Sequence, residues 1–356
     1  MKKRKAAVIG LGSICEGHLN AYRDDENTEL YAVCDHDKAW LAFVKNKYEV
    51  PKSYEDYHEL LKDPEIDIVS VCLPTYLHAE ATIEALKAGK HVLCEKPMAI
   101  SADEGRAMRE VELASGKKLM ISHNQRLGED VQVIKKIVDT GAVGELYHIR
   151  IAWRRQPGGM PSPVSVREDG SVYDRNWFNE KNRGGGVLRD LGSHLLDLTM
   201  HILDFPEIEG VYASGYRKFF PGIPLSERDK YTIDAEDMVS GFIKLKNGTS
   251  IQLEVNFAAP LAEDGIISCF YGTKMGLERY NGGVRMVYVG EDDSFAVKEA
   301  NMDTYKPVPY RHPAHNFIQA IVKDIPVPVP SDEGIKILEI LDAIYASAGI
   351  VSISSI

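Results

Sequence analysis

The chain has 356 residues, 44% of them hydrophobic and 27% charged, with a formal net charge of −11. This length supports a sizeable core and suits two domains better than one. The acidic balance argues against nucleic acid or an anionic membrane as partner, since both need basic surface, and no apolar run approaches the roughly 20 residues that span a bilayer.

The basic start, Met1 to Lys5, leads into only four apolar residues before a glycine, too few for the core of a secretory signal. Short apolar strands are expected at residues 6–9, 30–34, 67–73, 91–94 and 119–122, with a weak one near 52–53. Helical patterns lie between them. One covers residues 79–88 and stops at Gly89. The next opens at the capping box Ser101…Glu104 and stops at Gly116. Strands alternating with helices imply a parallel sheet covered on both faces, here the doubly wound α/β Rossmann fold.

The pattern changes after residue 123. A helix is expected at 131–139, ending at Gly141, then a long strand at 146–153. An irregular stretch rich in Gly, Pro and Arg covers 154–186, long enough to suggest a functional loop. A helix at 188–203 follows. Beyond it the chain reads as a largely antiparallel open sheet. Asn247-Gly248 predicts a type I′ hairpin. After it Ile251, Leu253, Val255 and Phe257 alternate with polar residues, giving one apolar face. Helices return at 315–322 and 333–348. The second half is therefore α+β, and the boundary falls near residue 123, giving domains 1–123 and 124–356.

The five cysteines, Cys15, Cys34, Cys72, Cys94 and Cys269, are odd in number and form no CxxC. They read as small buried hydrophobes in a reducing, cytoplasmic compartment.

The strongest local motif is Gly10-Leu11-Gly12-Ser13-Ile14-Cys15, directly after the first strand and opening a helix. Gly10 permits the tight turn. Gly12 lets backbone N–H groups, including those of Ser13 and Ile14, approach a pyrophosphate, and the helix dipole adds to this. The third position, usually Gly or Ala, is Cys15. Asp35 ends the second strand at about the spacing of a ribose-binding acid. A carboxylate there repels a 2′-phosphate, so NAD is expected over NADP, although Lys38 is close. Leu73-Pro74-Thr75 and Glu95-Lys96-Pro97 follow the fourth and fifth strands, where open α/β sheets bind ligands. His78 either approaches the nicotinamide ribose or begins its helix.

With these motifs and the segments His123-Asn124-Gln125-Arg126, Gly184-Gly185-Gly186-Val187-Leu188-Arg189-Asp190-Leu191-Gly192-Ser193-His194-Leu195-Leu196-Asp197 and Leu341-Asp342-Ala343-Ile344-Tyr345-Ala346-Ser347, the sequence resembles the glucose–fructose oxidoreductase, inositol dehydrogenase and rhizopine catabolism family (Gfo/Idh/MocA) over essentially its whole length. The resemblance implies hydride transfer between a nicotinamide cofactor and a hydroxyl or carbonyl of a sugar, cyclitol or glycoside. It also implies a homodimer or homotetramer paired through the open face of the second sheet. The matching lysine, Lys96, is catalytic in the family, and Asp190 and His194 belong to the site. The segment holding Asn124 and Arg126 lines the substrate or nicotinamide pocket.

The chemistry agrees. Oxidation of an alcohol needs a base for the hydroxyl proton and a donor for the developing alkoxide. Lys96 is suited to polarise the reacting oxygen and His194 to take the proton. Asp190, four residues earlier on one helical face, either orients the imidazole or holds a substrate hydroxyl; Asp197 offers the same. Trp177 presents a flat wall for a sugar ring. Arg154, Arg155 and Arg175 are either substrate contacts or solvated charges. Substrate specificity is expected in the loops at 154–183 and 219–234. The stripe Asp190, His194, Asp197, His201 spans about 16 Å of helix, too long for one ion, so no metal is expected. Two other functions stay open: a redox-neutral NAD-dependent glycosidase, and a non-catalytic NAD-sensing regulator.

Overall fold

The computed structural model describes residues 3–156, 158–219, 225–280, 282–290 and 294–349. Residues 157 and 220–224, within the two loops expected to set specificity, lie outside them.

The first half alternates strand and helix: β1 (Arg4–Ile9), α1 (Cys15–Asp24), β2 (Thr28–Cys34), α2 (Lys38–Lys47), β3 (Lys52–Tyr54), α3 (Tyr57–Leu61), β4 (Ile68–Val71), α4 (His78–Lys87), β5 (His91–Cys94), α5 (Ala102–Ser115) and β6 (Leu119–Ile121). The six strands form one parallel sheet in the order β3-β2-β1-β4-β5-β6. Strand order reverses beside β1, which opens a crevice at the carboxyl ends of β1 and β4. Ala6 to Ile9 and Ile68 to Val71 are buried on both faces, hence their apolar runs, interrupted only by the hydrogen-bonded Ser70. Gly89 and Gly116 both take positive φ after their helices. Ser101 caps α5, but Glu104 reaches back to the N–H of Ile100 rather than that of Ser101.

The second half begins with α6 (Glu129–Asp139) and β7 (Leu146–Arg154). The stretch expected to be irregular contains a small antiparallel hairpin, β8 (Val164–Val166) with β9 (Val172–Asp174). The expected helix at 188–203 is two structures: a π-helical turn at Leu188–Gly192, then α7 (Ser193–Ile202). Seven strands follow: β10 (Ile208–Tyr216), β11 (Met238–Leu245), β12 (Ser250–Asn256), β13 (Gly265–Gly272), β14 (Met275–Tyr280), β15 (Gly283–Val289) and β16 (Phe295–Glu299). With β7 they make an eight-stranded sheet, β10-β11-β12-β7-β13-β14-β15-β16, antiparallel except between β12 and β7. Ile251, Leu253, Val255 and Phe257 are buried as expected, on and just past β12, which packs against the π turn at Leu188–Gly192. The opposite face exposes Tyr147, Tyr212, Phe242 and Tyr271.

The β11–β12 turn differs from the type I′ expectation. Gly248 has φ +95°, but Asn247 is not in the left-handed region. Gly248 N–H donates to Leu245 O, and Leu245 N–H donates to Thr249 O. This is a three-residue loop ending in a bulge at glycine, and one positive φ is enough for it.

The last helices, α8 (Met302–Tyr305), α9 (Pro313–Val322) and α10 (Ser331–Ser347), carry the chain back to the first sheet. α10 packs on α5 as well as on β10 and α7, and α9 packs on α1. Ile121 N–H donates to Val329 O. No helix among the described residues is long and apolar enough to cross a membrane.

Candidate active site

A cavity of about 720 Å³ runs along the carboxyl ends of β1, β2, β4 and β5 and continues under the 167–194 region. That volume lies within the range of cofactor and ligand sites.

One end is the glycine turn. Gly10, Gly12, Ser13 and Ile14 all line the cavity. Gly10 has φ +87°, and a Cβ there would stand 2.6 Å from Cys72 O, so the turn is pressed against the neighbouring strand's end. Gly12 is the opposite case: a Cβ there would meet nothing within 4 Å. Among the described residues, the backbone N–H groups of Gly12, Ser13 and Ile14 have no protein acceptor. Free N–H groups beside an open space at a helix start fit a pyrophosphate. Asp35 also lines the cavity. Its Oδ2 accepts from Leu11 N–H at 2.9 Å and its Oδ1 from Asp37 N–H at 3.0 Å. Each oxygen keeps a lone pair for a ribose hydroxyl. Lys38 turns away to Glu55.

The middle of the cavity is lined by the turns after β4 and β5, with Leu73, Pro74, Thr75, His78, Glu95 and Lys96 all on its wall. Two of these are less available than expected. His78 places its ring nitrogens 2.8 Å from Pro97 O and 2.7 Å from Leu73 O. It ties the two turns together, and burial lowers its pKa, so it is committed to the scaffold rather than to a ribose. Glu95 is also spent internally. Its oxygens accept from His18 Nε2 at 3.0 Å and from Lys96 N–H at 3.2 Å. Burial pushes its pKa up, but the hydrogen bonds from His18 and Ser122 and the nearby positive charges outweigh this and hold it at about 2. His18 Nδ1 meets Ser70 Oγ, which Tyr22 also reaches. The anchor of the Lys96 backbone therefore runs deep into the core.

At the far end, Lys96 Nζ donates to Asp190 Oδ1 at 2.9 Å and to Asp190 O at 3.0 Å. A carbonyl oxygen has two lone pairs, so Asp190 O in the π turn can accept from the ammonium whatever else it meets, and one residue holds the ammonium twice. Asp190 thus pairs with Lys96 and not with His194 among the described residues, which speaks against the first of its two expected roles, orienting the imidazole, and leaves the second. His194 lines the same cavity. Its ring centroid lies 5.9 Å from that of Trp153, and its Nδ1 is buried without a partner among the described residues. Burial, then the positive charges of Lys96, His123 and Arg155, lower its pKa well below the ordinary value.

Asn124 and Trp177 also line the cavity, Trp177 stacked on Phe178 at 3.8 Å. Arg126 does not. It is 2% exposed, and its guanidinium is consumed by Asp197 and Glu333. It is a structural cation linking the β6 turn, α7 and α10, which corrects its expected place in the substrate pocket. Asp197 is removed from the site for the same reason. Arg175 lines the main cavity, while Arg154 and Arg155 line a separate one of about 420 Å³. All five cysteines are free thiols, and burial pushes Cys15, Cys34 and Cys94 up to about 12. Sequence reasoning missed Tyr76, Arg167, Tyr173 and Arg183 on the cavity wall. Three of them lie in the stretch read as irregular, where no periodicity marks an inward side chain.

The sheet order, the glycine turn and the Lys96–Asp190–His194 group at the sheet's carboxyl edge define a nucleotide-dependent oxidoreductase. Residues 4–123 match the model of an oxidoreductase family with an NAD-binding Rossmann fold, and residues 131–278 match the GFO/IDH/MocA C-terminal domain. The chain belongs to the Gfo/Idh/MocA family of NAD-binding oxidoreductases. It is 30% identical to D-glucoside 3-dehydrogenase of Escherichia coli (strain K12), covering 97% of this chain and 95% of that one. It is 34% identical to myo-inositol 2-dehydrogenase of Thermotoga maritima over 59% of this chain and 58% of the relative. Its fold superposes on levoglucosan dehydrogenase in complex with NADH and levoglucosan with a TM-score of 0.82 at 23% identity, covering 98% of both chains.

Proposed function

We propose that this chain transfers hydride between NAD(H) and a carbinol or carbonyl carbon of a sugar, cyclitol or glycoside. The single observation that carries the assignment of roles is the Lys96–Asp190 contact, made on the cavity that also holds the glycine turn and His194. Bound NAD supplies the hydride acceptor. Lys96 donates to the reacting oxygen and stabilises the developing alkoxide. His194, neutral at pH 7, takes the hydroxyl proton. Asp190 positions the Lys96 ammonium and is available to a neighbouring substrate hydroxyl. Trp177 and Asn124 border the substrate. Residues 1–123 hold the cofactor, and 124–356 supply the substrate side. The substrate class draws support from the glucoside and inositol dehydrogenases to which the chain is similar.

The decisive experiment is incubation with NAD and a panel of polyols, inositols and glycosides, following NADH absorbance, with Lys96→Met as control. NADH formation abolished by the substitution supports the proposal. Bond cleavage of a glycoside without net NADH replaces it with the redox-neutral alternative, and no reaction across the panel counts against catalysis.

The exposed aromatic face of the eight-stranded sheet supports self-association as a homodimer or homotetramer, tested by light scattering. Five free thiols support a reducing, cytoplasmic location.

A further inference from the structure

The β8–β9 hairpin does not stay with the second sheet. It lies across the end of the cavity where Asp35 and Asp37 stand, and Arg167 and Tyr173 line that end with them. Arg167, in the turn after β8, pairs with Asp37 Oδ2. Its guanidinium lies over two rings, 4.9 Å from the centroid of Trp40 and 4.6 Å from that of Tyr173. Trp40 is itself fixed, because its indole N–H donates to Leu11 O in the glycine turn at 2.7 Å. A second tie joins the same hairpin to α2, Lys47 Nζ to Glu168 at 2.8 Å. The Arg167 side chain is 6% exposed, yet its Nε is buried without a hydrogen-bond partner. Buried donors are nearly always satisfied in folded proteins. A planar cation packed against two rings, with its buried Nε unspent, is prepared for an acceptor that arrives with a ligand.

We propose that Arg167 is a cofactor-binding residue contributed from outside the Rossmann sheet, and that the β8–β9 hairpin clasps the adenosine half of the bound dinucleotide. This rests on NAD lying with its pyrophosphate at the glycine turn and its adenosine toward Asp35. The acceptor for Arg167 is then an oxygen of the adenosine ribose or a ring nitrogen of adenine.

The test is calorimetric binding to the full chain of two fragments: ADP-ribose, which has the adenosine, and nicotinamide mononucleotide, which lacks it. Arg167→Ala is expected to weaken ADP-ribose at least tenfold and leave nicotinamide mononucleotide within twofold. Tyr173→Leu removes one stacking face but keeps the ion pair, and a threefold to tenfold loss confined to ADP-ribose is expected. Unchanged ADP-ribose affinity in both variants overturns the proposal. So does an equal loss for both fragments, which marks general damage to the cavity. If the unmodified chain fails to bind ADP-ribose at all, it is the placement of the cofactor that fails.

Discussion

Lys96 Nζ is held by two oxygens of one residue, Asp190 Oδ1 at 2.9 Å and Asp190 O at 3.0 Å, across 94 positions of sequence. The two acceptors are chemically different, and this makes the pair separable by mutation. Lys96→Met removes the donor altogether and is expected to lower kcat by about 10²–10³, the range seen when an oxyanion donor is deleted. Asp190→Asn removes charge but keeps the backbone carbonyl, so the ammonium stays anchored and the loss is smaller. Steady-state kinetics on one substrate decide this; equal losses would show that the carboxylate acts directly on substrate.

With His194 as the proposed proton carrier, the two reaction directions are expected to respond differently to pH. Burial and the positive charges of Lys96, His123 and Arg155 put its pKa well below 6.5. The neutral ring needed for oxidation is therefore fully present at pH 7, and lowering the pH from 8 to about 6.5 should cost oxidation nothing through this group. Reduction needs the imidazolium, which is scarce at pH 7, so its rate should rise as pH falls. Rate profiles in both directions test this. An acid limb for oxidation above pH 6.5 that disappears in His194→Asn would contradict it.

The two glycines of the turn should fail differently. Gly10→Ala places a Cβ 2.6 Å from Cys72 O at φ +87°. Overpacking of this kind costs roughly 1–3 kcal/mol, with backbone strain in addition. Thermal unfolding should report it without cofactor. Gly12→Ala meets no protein atom within 4 Å, so Tm without cofactor should barely move. NAD affinity should nonetheless fall about tenfold or more, equivalent to ~1.4 kcal/mol, because the methyl would enter the space proposed for the pyrophosphate.

The Arg126–Asp197–Glu333 group should behave as structure. Asp197 is fully buried, and Asp197→Ala leaves the buried guanidinium with Glu333 alone; breaking a buried pair typically costs about 3–5 kcal/mol. Glu333 is partly exposed, and Glu333→Gln should cost less than about 1 kcal/mol. Denaturant unfolding measures both. Substrate KM in Glu333→Gln should stay unchanged, since Arg126 lies off the cavity; a large KM change would return Arg126 to the substrate pocket.

Much of this protein was legible from local pattern. A strand buried on both faces reads as a near-continuous apolar run, so β1, β4 and β5 announced themselves. Gly10 and Gly12 stood out because residues without a Cβ suit a tight strand-to-helix turn and the close approach of a ligand to its backbone. Lys96 and His194 were recognisable because their motifs sit at strand and helix ends, where side chains face a crevice. The short β8–β9 hairpin was not legible, since its three-residue strands are too brief for a period to show.

The sequence by itself determined the parallel sheet, the glycine turn after its first strand and the presence of Lys96 and His194 on the cavity wall, because each follows from spacing along one or two elements. Only the tertiary structure decided how charges were shared. Arg126 and Asn124 stand two residues apart in one motif, yet Asn124 faces the cavity while Arg126 is neutralised by carboxylates 71 and 207 positions away. Asp190 and Asp197 lie seven residues apart, yet one holds the Lys96 ammonium and the other a structural guanidinium. A buried ion finds its counter-ion through space, where desolvation must be offset by whichever opposite charge the packing brings close, and distance along the chain carries no record of that choice.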